Sequence, residues 1–157
     1  MNILETVAAS VKEALSNIGV HIRDSALVGS LYIKGALQDN SDVDFLVLVP
    51  WPTDVDALFL NEEGWTYGGS TSGANSKWAS WTKYLSVKEV HDGYRGFKAN
   101  LLVTNDAEYF EKWVTAAKAC KFLHDSGVLL TRGQVHGVHE VIMDGAEPEA
   151  QVELRRY

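Results

Sequence analysis

Two aspartates stand two residues apart, immediately before the most apolar run of the chain. Asp42 and Asp44 open a segment of valine, leucine and phenylalanine that extends to Val49, and this composition predicts a buried strand. Because side chains alternate along a strand, we expect both carboxylates to project from the same face. Two neighbouring carboxylates repel each other unless a cation lies between them, and a hard ion such as Mg²⁺ or Mn²⁺ suits such a pair.

A second motif lies upstream, where a short apolar run ends at Gly29-Ser30. The pattern predicts a buried strand, a tight turn and the start of a short helix. Glycine lets the backbone approach a phosphate closely, and a helix N-terminus presents free N–H groups. The Ser30 hydroxyl can add a hydrogen bond to a phosphate oxygen. Together the two motifs predict a phosphate cradle facing a metal clamp, as nucleotidyl or phosphoryl transfer requires.

Each motif also has an ordinary structural interpretation. Asp42 ends a polar segment in which aspartate is a common turn residue, and Gly29-Ser30 alone is more often a plain strand-to-helix turn. The combination of the two motifs favours the functional interpretation. Lys34 could reach a phosphate from the short helix, although an exposed lysine is the commoner case.

The remaining elements follow from periodicity and turn residues. We predict helices at about 2–18, 54–60 and 131–143, and a long helix that begins near Asn105 and ends at Asp125-Ser126-Gly127. We predict strands at 26–28, 42–49, 78–90 and 97–104, and a mobile loop at 68–76. The last two strands form an antiparallel hairpin through a turn at 91–93, and Asn105 with Glu108 has capping-box spacing ahead of the helix. We expect a single domain over 1–157, with a core at about 1–104, C-terminal helices at about 105–144 and a loose tail at 145–157.

Composition narrows the classes of partner and compartment. The net charge of −7 argues against strong non-specific binding to nucleic acid or to anionic membranes. No apolar stretch approaches the roughly 20 residues of a membrane span. The single cysteine, Cys120, allows no intramolecular disulfide, so we expect a cytoplasmic protein.

Three features resemble the signature of the DNA polymerase β-like nucleotidyltransferase superfamily: Gly29-Ser30, Gly35, and Ser41-Asp42-Val43-Asp44 ahead of an apolar strand. The likeness extends to small members such as aminoglycoside nucleotidyltransferases and the minimal nucleotidyltransferases of toxin–antitoxin pairs. It is densest over 26–49. It implies an α/β (α+β) nucleotidyltransferase fold, in which helices flank a mixed β-sheet and further helices lie C-terminal to it.

The resemblance also implies roles for individual residues. Gly29 and Ser30, with Lys34 and Ser41, would bind the nucleoside triphosphate. Asp42 and Asp44 would bind Mg²⁺ and align the α-phosphorus for attack by an acceptor hydroxyl, with pyrophosphate leaving. The expected function is transfer of a nucleoside monophosphate from an NTP to an unidentified small molecule, RNA or protein.

The superfamily usually has a third carboxylate on a neighbouring strand, and here Asn100 takes its place. Asparagine offers a metal an oxygen but no charge, and it cannot act as a general base. Proton removal would then fall to solvent or to another carboxylate such as Asp92 or Asp106. The alternative is a catalytically weak or inactive protein of this fold that modulates another macromolecule, in an antitoxin-like or phage host-modulating role. Asn100-Leu-Leu-Val-Thr104 resembles small phage-encoded relatives, for which the host cytoplasm would be the location.

Two further patterns have open interpretations. Four lysines lie on or beside the hairpin strands, either as an acceptor-facing basic strip or as the solvated side of the sheet: Lys77, Lys83, Lys88 and Lys98. Trp51, Trp78 and Trp81 could stack on a base, although packing is the commoner role of aromatic residues at strand positions.

Overall fold

The computed structural model describes residues 2–35, 42–70, 78–88, 93–128 and 130–143. The elements within these ranges are α1 (Ile3–Asn17), β1 (Asp24–Val28), α2 (Gly29–Lys34), β2 (Val43–Leu48), β3 (Thr66–Ser70), β4 (Trp78–Lys88), β5 (Tyr94–Thr104), α3 (Ala107–Asp125) and α4 (Arg132–Ile142). Ser41, Lys77, Asp92 and the predicted tail lie outside the described residues.

The five strands form one mixed sheet in the order β1-β2-β5-β4-β3. Strand β2 runs parallel to β5, and the other three neighbouring pairs are antiparallel. The predicted β4–β5 hairpin is confirmed. The parallel pairing sets Asp44 directly opposite Asn100, so two residues that are distant in sequence share one row of the sheet.

Alternation along the strands divides the core into two layers. Helix α1 begins at an Asn2 cap and packs Val7, Val11 and Leu15 against one face of the sheet. Helix α3 packs Tyr109, Phe110 and Trp113 against the other face. Helix α4 packs beside α3, where His139 contacts the Trp113 ring. A mixed sheet flanked by helices is the fold class that the sequence predicts.

Three predicted elements differ from the structure. The expected helix at 54–60 is two 3₁₀ turns, Val55–Ala57 and Leu60–Glu63. Residues 68–70 of the expected loop belong to β3, and β5 begins three residues earlier than predicted. Strand β3 escapes prediction because Gly68 and Gly69 disfavour a strand. At Gly68 the strand lies so close to β4 that a Cβ would be 2.9 Å from Ser80 Oγ, so this position has little room for a side chain.

The N-cap of α3 is Asp106 rather than Asn105. The Asp106 carboxylate accepts hydrogen bonds from the backbone N–H groups of Glu108 and Tyr109, at 2.9 and 3.2 Å. Asn105 is buried, and its amide donates to the carbonyl of Thr53 at 2.8 Å. Both residue types favour an N-cap, so the sequence alone did not separate them.

Within the described part of the chain, no helix is both long and apolar enough to cross a membrane.

Candidate active site

The start of α2 touches the second aspartate of the acidic pair. Gly29 has a φ of +78°, which disfavours every residue with a side chain. A Cβ built at this position would collide with the Asp44 carboxylate and lie 2.9 Å from its Cγ. Position 29 therefore needs glycine both for its backbone angle and for its contact. The turn after β1 and the acidic end of β2 form one site.

Asn100 joins the two aspartates. Its Nδ2 donates to Asp42 Oδ2 and to Asp44 Oδ1, at 2.9 Å each. Asp42 immediately precedes β2, and Asp44 is its second residue. Both carboxylates therefore converge on one point beside the middle of β5, as alternation along the strand predicts.

A lysine borders the acidic pair on its outer side. Lys98 Nζ lies 3.9 Å from Asp42 Oδ2, and the two side chains are 38% and 34% exposed. An ion pair of this length and exposure contributes little to stability. Its position is more informative, because Lys98 is two residues before Asn100 and so projects from the same face of the sheet.

The site lies where the helical cover of the sheet ends. Toward the C-terminus of β5, Leu102 is buried beneath α3. Asp42, Asp44 and Asn100 are partly exposed, and β5 becomes open to solvent from Gly96 to Tyr94 on the same face. The acidic pair therefore has a packed wall on one side and an open surface on the other.

The other predicted nucleotide-binding residues occupy α2 and its flank. Ser30 lies beside Gly29 in the first turn of α2 and is half-buried. Lys34 is exposed in the last turn of the same helix. Asp106, considered above as a proton acceptor, instead caps α3.

The donors present fit a divalent cation that completes its coordination elsewhere. Among the described residues no group of three or more His, Cys, Asp or Glu side chains gathers around one point, and the site offers two carboxylates and an amide. A half-turn of the Asn100 side-chain amide would turn its oxygen toward the point where its nitrogen now lies. Mg²⁺ usually takes one or two protein carboxylates and completes its shell with water and phosphate oxygens.

The hairpin lysines, which the sequence pattern did not assign to a face, lie on both faces of the sheet. Lys83 lies on the opposite face, where its ammonium donates to the Glu63 carbonyl at 2.9 Å and lies over the Trp65 ring. Lys98 borders the site. That Lys98 and Asn100 share a face follows from their spacing in the sequence, whereas the register of the predicted hairpin, which places Lys83 on the other face, does not.

The stacking hypothesis for the tryptophans fails for two of the three. Trp78 and Trp81 are 4% and 1% exposed and belong to the core, whereas Trp51 is exposed. The aromatic residues that are exposed on the site face of the hairpin are tyrosines, Tyr84 and Tyr94, which the sequence did not single out.

Comparison with known families agrees with this geometry. The nucleotidyltransferase domain family matches residues 7–113, which include all the site residues named above. The chain belongs to this family, and the resemblance that the sequence motifs indicated is confirmed. Its general chemistry is therefore nucleotidyl transfer. No curated protein matches the chain.

Proposed function

We propose that the chain transfers a nucleoside monophosphate from an NTP to an acceptor hydroxyl, in a reaction that depends on Mg²⁺ or Mn²⁺. One observation carries this proposal: the backbone of Gly29 lies directly against the Asp44 carboxylate. The turn at Gly29 can approach a phosphate, and it lies beside a carboxylate that can hold a cation. The partly exposed Asp42 and Asn100 leave room for a substrate.

Each residue has a role that follows from its position. The backbone at Gly29 and the hydroxyl of Ser30 bind the β- and γ-phosphates. Asp42 and Asp44 hold the cation, toward which the Asn100 side-chain oxygen would turn, whereas in the metal-free protein the Asn100 amide nitrogen holds both carboxylates together. When bound, the cation would offset the charge of the triphosphate and of the departing pyrophosphate.

The reaction balances without a cofactor beyond the metal. The acceptor oxygen forms a bond to the α-phosphorus, and the bond between that phosphorus and the oxygen bridging to the β-phosphate breaks. Pyrophosphate leaves, and the acceptor proton passes to solvent. Asn100 cannot accept the proton, and Asp106 is held at the start of α3. The contribution of the chain is therefore positioning and charge stabilisation.

One observation favours a second function, a catalytically weak member of the fold that binds another macromolecule. The Asn100 amide already hydrogen-bonds both carboxylates, and the Lys98 ammonium lies beside Asp42. These contacts offset the repulsion within the acidic pair without a metal. A protein that relies on them would bind NTP and Mg²⁺ weakly and transfer nothing.

The test measures binding before activity. With NTP and Mg²⁺ at 100 times the dissociation constant, we expect the free energy of unfolding to rise by about 2.7 kcal/mol. The rise should disappear in Asp42→Asn and Asp44→Asn and persist in the control Asp24→Asn, at the far end of β1 from Gly29. With labelled NTP and cell extract, both site variants should lose label transfer by at least about a hundredfold. Equal transfer by the wild type and both site variants would refute the proposal.

Asn100→Asp separates the two functions. Under the first, a third carboxylate strengthens cation binding, while the metal-free protein loses about 2 kcal/mol of stability through like-charge repulsion and two lost hydrogen bonds. Mg²⁺ should restore that loss, and transfer should persist or rise. If the variant gains cation binding while neither it nor the wild type transfers label, the second function is supported.

A further inference from the structure

The sheet surface beside the acidic pair has a regular layout. Asp44 lies opposite Asn100 on β5, and Asn100 lies opposite Thr82 on β4. Directly paired residues project from the same face of a sheet. The next row outward pairs Lys98 with Tyr84, then Gly96 with Ser86, and last Tyr94 with Lys88. These three outer rows form a platform that begins at the proposed catalytic residues.

The platform is open to solvent although it carries two aromatic rings. Tyr84 and Tyr94 are 80% and 72% exposed. Between them along the hairpin lies the Gly96–Ser86 row, which has no bulky side chain. The result is an open surface with an aromatic ring near each end and small residues between them. Flat rings of this kind are the surfaces on which proteins stack unpaired bases.

The charge of the platform is opposite to that of the whole chain. The segments 82–88 and 94–98 contain no aspartate or glutamate, although the net charge of the chain is −7. Lys98 lies in the first row and Lys88 in the last. A polyanion is attracted to such a strip, although the net charge of the whole chain repels it. A cationic acceptor would find no acidic group in these three rows.

The spacing of the rows relates the platform to the reaction. Two residues advance a strand by about 6.7 Å, so Tyr84 lies about that far beyond the Asn100 row. A base stacked on Tyr84 would belong to a nucleotide at or next to the reacting end of a strand, with its neighbours continuing toward Tyr94. The hydroxyls of Thr82 and Ser86 flank this path and can hydrogen-bond a ribose 2′-hydroxyl, the group that distinguishes RNA from DNA.

We propose that the acceptor is the 3′-terminal hydroxyl of a single-stranded RNA, which lies along this platform with a base stacked on Tyr84 and its phosphates near Lys98. The proposal deepens the nucleotidyl transfer proposed above and rests on it for the reaction, whereas RNA binding is measured without NTP. Stacking on one or two rings with two lysines gives binding that is local and sensitive to salt. Such binding is compatible with the weak non-specific affinity expected of an acidic chain.

The probe is a fluorescent single-stranded RNA of about ten nucleotides, titrated with the full chain in the absence of NTP and followed by anisotropy. We expect Tyr84→Ala to weaken binding about tenfold or more and Tyr84→Phe to retain it, because the ring supplies the stacking. Phe122→Ala removes a ring that is 71% exposed on α3, and this control should bind as the wild type does. The DNA oligonucleotide of the same sequence should bind more weakly.

Three results would overturn the inference: equal RNA binding by the wild type and Tyr84→Ala, equal binding of RNA and DNA, or no binding of RNA by the wild type. The stabilisation by NTP and Mg²⁺ is measured on the same samples. If that stabilisation is absent while RNA binds through Tyr84, the platform stands and the proposed reaction fails. If NTP binds and the label is transferred to a protein or a small molecule, the reaction stands and the platform fails.

Discussion

The two ends of the β4–β5 hairpin have the same backbone pairing and opposite surroundings. Its base, residues 78–81 and 101–104, is buried on both faces, between α1 on one side and α3 on the other. Its tip, residues 84–88 and 94–98, packs Phe97 on the α1 side and is open on the other face. The site residue Asn100, paired with Thr82, lies in the first row beyond the base. The candidate site therefore lies between a packed support, the base, and an open surface, the tip.

The largest expected effect tests this difference with two matched leucines. Leu101 is fully buried in the base, and Leu85 is half-buried at the tip. Leu101→Ala should lower the free energy of unfolding by about 3 kcal/mol, because it leaves a cavity that the packed layers cannot fill. Leu85→Ala should cost less than about half of that, since water already reaches part of its side chain. Urea denaturation measures both, and equal losses would show that the tip is packed like the base.

The second prediction concerns the glycine at the boundary between packed wall and open surface. Gly29→Ala should cost about 2–3 kcal/mol, from left-handed backbone strain and displacement of the Asp44 carboxylate. Gly19→Ala is the control, because φ there is +76° and a Cβ would meet nothing within 4 Å. The control should show the strain alone, about 1–2 kcal/mol. Stabilisation by NTP and Mg²⁺ should be lost only in Gly29→Ala. If Gly29→Ala kept this stabilisation, the turn at Gly29 would not be part of the phosphate-binding site.

The smallest expected effect concerns the hydrogen bond between Tyr67 of β3 and Asp56. The Tyr67 hydroxyl donates to Asp56 at 2.6 Å, and its ring contacts Trp81. Hydrogen bonds from Tyr67 and Ser70 lower the pKa of Asp56 below its usual 3.8, and burial with the Asp56 bond raises the pKa of Tyr67 above 10.0. Tyr67→Phe should cost less than about 1 kcal/mol at pH 7, because solvent screens the carboxylate.

The sign of each pKa shift gives the pH window of that loss. The lowered pKa of Asp56 means that its contribution is present above 3.8 and disappears as the pH falls through the folded-state pKa. The raised pKa of Tyr67 means that its contribution is present below 10.0 and disappears as the pH rises through the folded-state pKa. The stabilities of wild type and Tyr67→Phe should therefore differ fully between about pH 4 and 10 and converge only beyond the folded-state pKa values of Asp56 and Tyr67. A constant difference at all pH values would assign the effect to packing.

Prediction from the sequence succeeded where local pattern and topology agree. The strand after Asp42, the turn at Gly29 and the long helix that carries Trp113 all follow from composition and periodicity, and the fold class follows from them. The convergence of Asp42 and Asp44 also follows, because it depends only on alternation within a few residues. That Asn100 lies beside them came from the resemblance and not from periodicity.

The features that escaped prediction depend on partners distant in sequence. Strand β3 contains two glycines and is a strand through its pairing with β4, with a register shift between Tyr67 and Gly69. The division of Lys83 and Lys98 between opposite faces requires the register of the hairpin. The exposure of Tyr84 could be predicted only from the position of α3, which does not extend over this residue. Local propensity contains none of these facts.

The parallel pairing of β2 with β5 has a consequence for the time at which the site first exists. Asp44 and Asn100 are 56 residues apart, so bringing them together closes a long loop. The contacts of the assembled sheet offset the entropic cost of this closure. During synthesis, the acidic pair has no amide partner until β5 has left the ribosome. A fragment that ends before β5 would keep both aspartates and the Gly29 turn without the strand that holds them in register. The candidate site of this chain is therefore complete only once β5 has paired with β2.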